Sequence, residues 1–571
     1  MRASKLGSLV GILLASTALG GDCDLPKTLL SGTLTPEPGH QSVVLDYFNT
    51  DLIITGDGIT LTTHTTITVT NGRIIVEGPI HGRPPNSFSR PAGDPGQDAN
   101  GLLLRTICSA PPDADPHGAP KGAHAARSAS CCDVLISSTI DLSGEHGTNG
   151  FHVPMGATGS GGPGGSGGDG GRLSIASSGN IIDSGFITTA GGHGGEGGAG
   201  GERGDGGQGG QGGAGGDVDF RQNNSTPIDA RIEINGTIDT SGGSGGHGGS
   251  AGVRACGGCG VSSVNGGSGR AGGNGGEVTI IGRFVQLADP LSDVTINTNG
   301  GTGGNGRPGQ SGIEIACAHT DPSIALIVRA LRAQDRDPED LLELLGSPSG
   351  ACHPPVNGGN AGNAGPGGNA GDVCVAALHP VTNPTTPSLS GSAEIHARGG
   401  AGGHGAVGGV GASLDLDCDG VPECCGEAGI SQPGDQGGAG GLIRISALVN
   451  DLNVTLNSQG GRGGSGGEGS NDACGPCSGT QGARGGSGGA GGSFTYTGAL
   501  VPDSLPVLVL NTLGGSGGDG GDSMLGAPSS VGGGVGKDGP IIISTGPFML
   551  VPELTGSKST GANGDSGLPC P

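Results

Sequence analysis

Aromatic side chains are almost absent from this chain of 571 residues, which contains 2 Tyr, 8 Phe and no Trp. Because a conventional thick core relies on large side chains, the sequence predicts a thin one. The same scarcity argues against a groove in which Trp or Tyr stacks on sugar rings. Beyond residue 20 the chain also has no apolar run of the roughly 18 residues that a transmembrane helix needs.

Positive charge is scarce as well. The chain has 26 Lys and Arg against 51 Asp and Glu, which gives a formal net charge of −25. A negative field of this kind repels nucleic acid and anionic lipid headgroups. We therefore expect neither of them as a partner.

Glycine dominates what is present, with 134 Gly and 37 Pro. This composition is typical of low-complexity chains. Short bursts of Val, Ile and Leu nevertheless recur at long intervals along the sequence. Apolar residues distributed in this way favour an elongated core over a spherical one.

Residues 1–20 have the features of a secretory signal peptide. The basic stretch "MRASK" precedes the apolar "LGSLVGILLASTAL", and the small residues Ala18 and Gly20 offer a cleavage site. We predict an exported protein that is secreted or held at the cell surface. Lipid anchoring at Cys23 is the alternative, although Asp22 before it departs from the bacterial lipoprotein pattern.

Each glycine tract is followed by a short alternating strand and later by a second strand that runs into the next tract. Aligned second strands form an apolar column of Ile140, Ile187, Ile238, Ile296, Ile395, Leu456 and Leu510. The next column is Asp141, Thr188, Asp239, Asn297, His396, Asn457 and Asn511, and a Thr/Ser column follows with Thr189, Thr240, Thr298, Ser458 and Thr512. Similar residue types at equal positions predict strands that pair in parallel and in register. The predicted fold is an all-β parallel solenoid, a β-helix with two strands per repeat.

The tracts approach a Gly-Gly-X triplet, as in residues 191–216. A period of three matches the three residues per turn of the polyproline II helix. We hypothesise that tracts of neighbouring repeats lie side by side as a polyglycine II layer between the rungs. Solvated, flexible loops are the alternative.

Three regions of the chain differ in character. Residues 21–130 are predicted to form a β lead-in or cap that contains an irregular Pro-rich loop over residues 81–130. The Gly-rich solenoid follows over residues 131–571. Within it, residues 320–350 carry two Asp-Pro pairs and a closing glycine, which predict an inserted helical hairpin.

The repeat unit, a strand ending in "GTIDTSGG" and followed by Gly-Gly-X triplets, resembles exported bacterial glycine-rich β-helix proteins described as adhesin-like. The tracts also resemble, in composition, the glycine-rich domain of the mycobacterial PE-PGRS surface proteins. The resemblance implies a parallel β-helix at the cell surface and implies no enzymatic activity.

The 15 cysteines fit an oxidising compartment, in which most of them would form disulfides. Cys256 and Cys259 form "CGGC", and Cys474 and Cys477 form "CGPC", which copies the thioredoxin active-site string. Both strings lie in glycine tracts and lack the strand-to-helix context of a redox site, so we predict structural disulfides. Zinc bound by the two pairs is the alternative.

Cys317 and Cys352 bracket the predicted helical hairpin. A disulfide between them would close the excursion and return the chain to the solenoid near the point where it left. The alternative is a bridge from Cys317 to Cys374, which would join adjacent strands directly.

One segment, "DLDCDGVPECCGE" over residues 415–427, resembles the calcium loops of thrombospondin type 3 repeats and EF-hands. The residues that carry the resemblance are Asp415, Asp417, Asp419, Gly420 and Glu423. Alternate carboxylates of this kind converge on a hard cation, and glycine permits the bend. The resemblance implies Ca²⁺ as a cofactor, and an acidic disulfide-braced loop is the alternative.

No nucleophile elbow or phosphate-binding loop is evident in the sequence. We predict a non-enzymatic, exported structural or adhesin-like protein whose partner is a cell-surface or matrix component such as a polysaccharide. One alternative is a calcium-dependent, carbohydrate-active β-helix enzyme. Another is a solenoid that uses its Thr column as a flat ice- or mineral-binding face.

Overall fold

A computed structural model of the chain describes residues 25–83, 90–108, 132–154, 156–223, 230–252, 263–288, 294–311, 357–377, 388–411, 413–414, 424–425, 427–470, 480–500, 507–524, 527–544, 549–551 and 562–563. The regular elements in these ranges are all strands. Within the same ranges, no helix is long and apolar enough to span a membrane. The predicted signal peptide and the predicted helical hairpin over 320–350 lie outside the described residues.

The strands in the first third of the chain are β1 (Lys27–Leu34), β2 (Ser42–Phe48), β3 (Asp51–Leu61), β4 (His64–Thr70), β5 (Ile74–Val76), β6 (Ile80–His81), β7 (Leu102–Ile107), β8 (Val134–Ile136), β9 (Ile140–Asp141), β10 (Leu173–Ser177), β11 (Ile181–Asp183) and β12 (Phe186–Thr188). The next are β13 (Val218–Gln222), β14 (Arg231–Ile234), β15 (Thr237–Asp239), β16 (Val278–Gly282), β17 (Phe284–Leu287), β18 (Val294–Asn297), β19 (Val373–Ala377) and β20 (Leu389–His396). The last are β21 (Ser413–Leu414), β22 (Cys424–Cys425), β23 (Ile443–Asn457), β24 (Phe494–Leu500), β25 (Val507–Asn511), β26 (Ile541–Ser544) and β27 (Met549–Val551).

All pairings among these strands are parallel except β21 with β22, so the predicted parallel β-solenoid is confirmed. Each coil contributes a strand to each of three stacks. The first stack runs through β4, β7, β10, β13, β16, β19 and β23, the second through β5, β8, β11, β14, β17 and β20, and the third through β6, β9, β12, β15, β18 and β20. The coil is thus a β-helix turn with three sides.

The predicted apolar column of the third stack is present residue by residue. Ile187 pairs with Ile140 on one side and with Ile238 on the other, and the register continues through Ile296 to Ile395. These five isoleucines are fully buried. A single narrow core therefore runs through the coils, as the short apolar bursts in the sequence indicated.

The prediction of two strands per repeat was wrong, because each coil contributes three strands. Two of these strands are short and are separated only by a corner, so they appear as one strand in the sequence. In one coil the corner lies between β11 and β12, where the carboxylate of Asp183 accepts a hydrogen bond from the Gly185 amide at 3.0 Å. In the next coil Gly236 occupies the equivalent place, and a Cβ there would lie 1.9 Å from the carbonyl oxygen of Gly185. Close stacking at the corner therefore requires glycine.

The lead-in over residues 21–130 continues the same stacks. Strands β4, β5 and β6 pair with β7, β8 and β9, which belong to the Gly-rich coils or adjoin them. The stretch predicted as an irregular loop contains β7, in which Leu102, Leu104 and Thr106 alternate as buried residues. A disulfide joins Cys108 to Cys132 across the undescribed residues 109–131.

Between the third strand of one coil and the first strand of the next, the chain runs out and back as two glycine tracts. We call the first the outgoing tract and the second the returning tract, and all tracts together the polyglycine lobe. In the coil that begins with β10, these are residues 189–201 and 204–216. None of the glycines in these two tracts has a positive φ, and their hydrogen bonds recur every third residue, as expected of polyproline II helices.

Two sets of hydrogen bonds hold the lobe together. Within a layer, the Gly194 amide donates to the Ser244 carbonyl of the next outgoing tract at 2.8 Å, and the Gly209 amide donates to the Ser268 carbonyl of the next returning tract at 2.9 Å. Between layers, the Gly210 amide donates to the carbonyl of Gly195 on its own outgoing tract at 2.7 Å. Parallel neighbours in each layer and antiparallel contacts between the layers confirm the hypothesis of a polyglycine II layer over the solvated-loop alternative.

The Thr column closes the base of each lobe excursion. The hydroxyl groups of Thr189, Thr240 and Thr298 donate to the carbonyl groups at the ends of the returning tracts, at 2.6, 2.9 and 2.9 Å. All three threonines are fully buried. The Thr column is therefore not the exposed face that the ice- or mineral-binding interpretation required, and that interpretation of the column was wrong.

Glycine predominates in the lobe because at most inward-facing positions the backbones approach each other too closely for a side chain. A Cβ on Gly246 would lie 2.0 Å from the Gly195 carbonyl oxygen, and one on Gly210 would lie 1.9 Å from that of Gly165. Both obstacles are backbone atoms and cannot rotate away. The positions other than X are therefore mostly glycine, and several of the exceptions are buried alanines, such as Ala361, Ala364 and Ala406.

We expect Gly246→Ala to destabilise the fold by about 3 kcal/mol or more, because the added methyl group forces two hydrogen-bonded tracts apart. The matched control is Ser244→Ala, two residues away at an X position, which we expect to change stability by no more than about 0.5 kcal/mol. The measurement is the thermal and denaturant midpoint of each variant. Equal midpoints for Gly246→Ala and the parent chain would contradict the close packing described here.

Candidate functional site

The residues singled out as candidate sites lie outside the described residues. These are Asp415, Asp417, Asp419 and Glu423, and the cysteines Cys256, Cys259, Cys317, Cys352, Cys474 and Cys477. Each group lies, along the chain, between the outgoing and returning tracts of one coil. The antiparallel pair of β21 and β22 brackets the acidic segment on both sides. Calcium at this segment and the disulfides of these cysteines stay predictions.

Cys374, in the first stack, carries a free thiol, so it does not take part in the alternative bridge to Cys317. Burial raises the pKa of this thiol. A thiol that stays protonated is a poor nucleophile and a poor metal ligand. Within the described part of the chain, no group of three or more His, Cys, Asp or Glu side chains is placed to hold a metal ion.

The X residues form the chemical surface of the lobe. In a helix with three residues per turn, one glycine of the triplet faces the neighbouring tract of its layer, the other faces the opposite layer, and X faces solvent. X side chains therefore form two opposite outer faces, which we call the outgoing face and the returning face. Neighbouring X residues are spaced by about 9 Å along a tract and by about 4.8 Å from coil to coil.

A ladder of side-chain hydrogen bonds fixes these X residues in place. The backbone amide of an X residue donates to the X side chain of the preceding coil, as Glu196 does to Asn149 Oδ1 at 2.9 Å and Asn369 does to Asn274 Oδ1 at 2.9 Å. Each such side chain thus satisfies an amide that no backbone carbonyl reaches. The sequence reasoning missed this role, although the frequent Asn, Asp, Ser and His at X positions were a signal for it.

Histidines occupy the same role on the outgoing face. The Nδ1 atoms of five histidines each accept a hydrogen bond of 2.8–3.0 Å from an amide of the next coil: His146, His152, His193, His247 and His404. Because Nδ1 accepts, the proton of the neutral ring is assigned to Nε2. The rings of His146 and His193 stack with centroids 4.6 Å apart.

Two buried acids lie in the second stack. Asp133, just before β8, accepts a hydrogen bond from the Asn180 amide at 2.7 Å, and burial raises its pKa to about 6. Asp183 is fully buried at the end of β11, and its Oδ2 has no hydrogen-bond partner among the described residues. Burial raises the pKa of Asp183 to about 7. Both acids lie at corners of the coil, and Asp133 has the ion pair of Arg73 and Asp51 as its charged neighbours.

A groove of about 860 Å³ crosses the returning face. It runs between two adjacent X columns, from the first returning tract near Asp98 to the tract that carries Gln436. Its walls carry the polar residues Asp98, Asp169, Gln211, Asn274, Asn369 and Gln436, interspersed with Pro95, Ser166, Ala214, Ala271 and Pro366, and its floor is glycine backbone. The sequence reasoning did not find this groove, because its residues come from six coils and share no motif.

Comparison of the chain with family models, with curated proteins and with solved structures gave no match. The interpretation of the groove therefore depends on its own geometry.

The buried Asp183 predicts an unusual pH dependence of stability. Its folded pKa of about 7 lies above the ordinary value of 3.8, so its contribution to stability is present at acidic pH and is lost as the pH rises through 7. Asp183→Asn keeps an acceptor for the Gly185 amide and removes the charge. We expect the variant to melt at a higher temperature than the parent at pH 8, by an amount worth on the order of a few kcal/mol. The difference should vanish near pH 4.

The control for this experiment is Asp46→Asn, which removes an exposed carboxylate on β2. We expect it to leave the shape of the stability curve unchanged. An Asp183→Asn variant that parallels the parent at every pH would contradict a charge-dependent cost at this position.

His146 predicts loss of stability in acid. Burial and the positive charges of His193 and Arg83 lower its pKa, so the stability it supports is lost as the pH falls below the unfolded value of about 6.5. A protonated ring also loses the Nδ1 acceptor that the His193 amide uses. We expect His146→Asn, which retains an acceptor, to lose less melting temperature between pH 7 and pH 5 than the parent does.

His146→Leu separates the cost of charging the ring from the loss of the Nδ1 acceptor, because leucine carries no charge and removes the acceptor at every pH. We expect it to melt below the parent at pH 7 and by a smaller margin at pH 5, where the parent has itself lost part of the stability that the neutral ring supports. If the Asn variant were as acid-sensitive as the parent, the role of His146 would have to be abandoned.

Proposed function

We propose that this protein is a non-enzymatic, exported structural or adhesin-like protein that attaches to a cell-surface or matrix component. The observation that carries the proposal is the lattice of X side chains on the polyglycine lobe. Each coil adds one row of outward-facing polar groups at a fixed spacing, held by the ladder from Asn274 to Asn369 and its equivalents. Such a surface suits contact with an extended, repetitive partner.

Four further observations support the proposal. The residues 1–20 have the pattern of a signal peptide, and the disulfide between Cys108 and Cys132 suits an oxidising compartment. The net charge of −25 disfavours nucleic acid as the partner. The stacked strands run continuously from coil to coil and support the lobe.

The test asks whether the protein is retained on cells or matrix without releasing sugar products from them. The purified chain lacking residues 1–20 is labelled and washed over intact bacterial cells and over isolated extracellular matrix, and the supernatant is assayed for released sugar products. We expect retention and no product. Steady product release would assign the protein to the enzymes, and failure to adhere to any of the materials would remove the adhesive role.

The control in this experiment is Gly246→Ala, which disturbs the lobe. We expect it to be retained less than the parent, whereas Ser244→Ala is retained equally. Equal retention of all three proteins would show that attachment does not depend on the lobe.

A further inference from the structure

The returning-face groove has the dimensions of a site for a linear polymer. It crosses six coils, and the five spacings between them, at about 4.8 Å each, give a length of about 24 Å from the coil of Asp98 to that of Gln436. Its floor consists of glycines such as Gly212, Gly272 and Gly367. A floor without side chains lets a flat ligand lie directly on the backbone.

The walls of the groove are already ordered. Asp98 Oδ1 accepts from the Asp169 amide at 2.8 Å, and Asp169 Oδ1 accepts from the Ala214 amide at 2.7 Å. The same bond links Asn274 to Asn369. In this wall, one atom of the side chains of Asp98, Asp169, Asn274 and Asn369 is thus committed to the ladder, so a ligand meets side chains that have lost most of their rotamer freedom before it binds.

The chemistry of the walls distinguishes between classes of polymer. Carboxylate and amide groups line the groove, and neither Lys nor Arg is among its lining residues. An anionic polymer would meet carboxylates without a compensating cation, whereas hydroxyl groups pair with both carboxylates and amides. The groove therefore favours a neutral, polyhydroxylated chain.

The spacing from coil to coil along the walls distinguishes an extended glycan from an extended peptide. X positions recur at every coil, about 4.8 Å apart, and in one wall they carry Asp98, Asp169, Asn274 and Asn369 with Ala214 between the acids and the amides. An extended peptide presents equivalent side chains every second residue, about 6.6–6.8 Å apart. A peptide strand would fall out of register with the coils within a few residues. An extended, β-1,4-linked glycan advances by close to one coil spacing per sugar.

We propose that the returning-face groove binds a neutral, extended polysaccharide along the solenoid axis, with one sugar residue per coil. The proposal rests on the proposed adhesive function and names its ligand class and its site. Hydrogen bonds from hydroxyl groups to Asp98, Asp169, Asn274 and Asn369 hold the chain, and the glycine floor contacts the flat faces of the sugars.

The experiment is calorimetric titration of the intact purified chain with three soluble hexasaccharides: β-1,4-linked glucose, β-1,4-linked N-acetylglucosamine and anionic α-1,4-linked galacturonate. We expect at least one neutral hexamer to bind and the galacturonate hexamer not to bind. Ala214→Trp with Ala271→Trp fills the groove from positions that line it, and we expect it to weaken binding at least tenfold. The matched control, Ala199→Trp with Ala401→Trp, adds the same side chains on the outgoing face and should bind like the parent.

Each other outcome overturns the proposal. Binding of the neutral hexamer that survives the double Trp substitution in the groove places the ligand elsewhere. Preference for galacturonate refutes the charge argument, and no binding of either neutral hexamer at millimolar concentration refutes the ligand class. In all three cases the retention experiment still decides the adhesive function by itself, since it needs no particular ligand.

Discussion

The close approach of backbones in the polyglycine lobe is the constraint on which the rest of the structure depends. A carbonyl oxygen lies about where the Cβ of a facing residue would be, as Gly195 does opposite Gly246. Most positions other than X are thereby fixed as glycine, and few side chains, such as those of Ala406 and Ser470, lie in the interior of the lobe. Hydrogen bonds between backbones replace the apolar packing that stabilises an ordinary domain, which explains how the chain folds with so few aromatic residues.

The constraint also decides where chemistry can occur. With glycine fixed inside, the X position carries almost all of the variation in the tracts, and there it has two tasks. It must accept a hydrogen bond from the next coil, as Asn149 and His193 do, and it presents its remaining atoms to solvent. The Nδ1 of His lies in the same place relative to the backbone as the Oδ1 of Asn, so either residue serves the ladder. They differ in that only histidine loses its acceptor in acid.

Much of the fold could be predicted because in-register stacking leaves a direct trace in sequence. The column from Ile140 to Leu510 was visible by alignment of the repeats, and the strand pairings reproduce it. The polyglycine II layer followed from the period of three. The third strand of each coil was missed because β11 and β12 are separated by a two-residue corner and read as one strand. The burial of Thr240 was missed because its acceptor, the carbonyl of Gly276, lies 36 residues further along the chain. The groove could not be predicted, since residues such as Asp98 and Asn369 become neighbours only when six coils are stacked.

The bond from each buried threonine to the end of its returning tract has a consequence for how the chain can vary. It fixes the start and the end of an excursion at one point, so that the next strand begins in register regardless of what lies at the far end. Thr298 and Gly371 are joined in this way although they are 73 residues apart, whereas Thr189 and Gly216 are 27 apart. Segments of very different length and composition can therefore be exchanged at the outer ends of the lobe while the coils below stay unchanged. The molecule is in this respect a display scaffold, in which each coil offers one independent place for insertion.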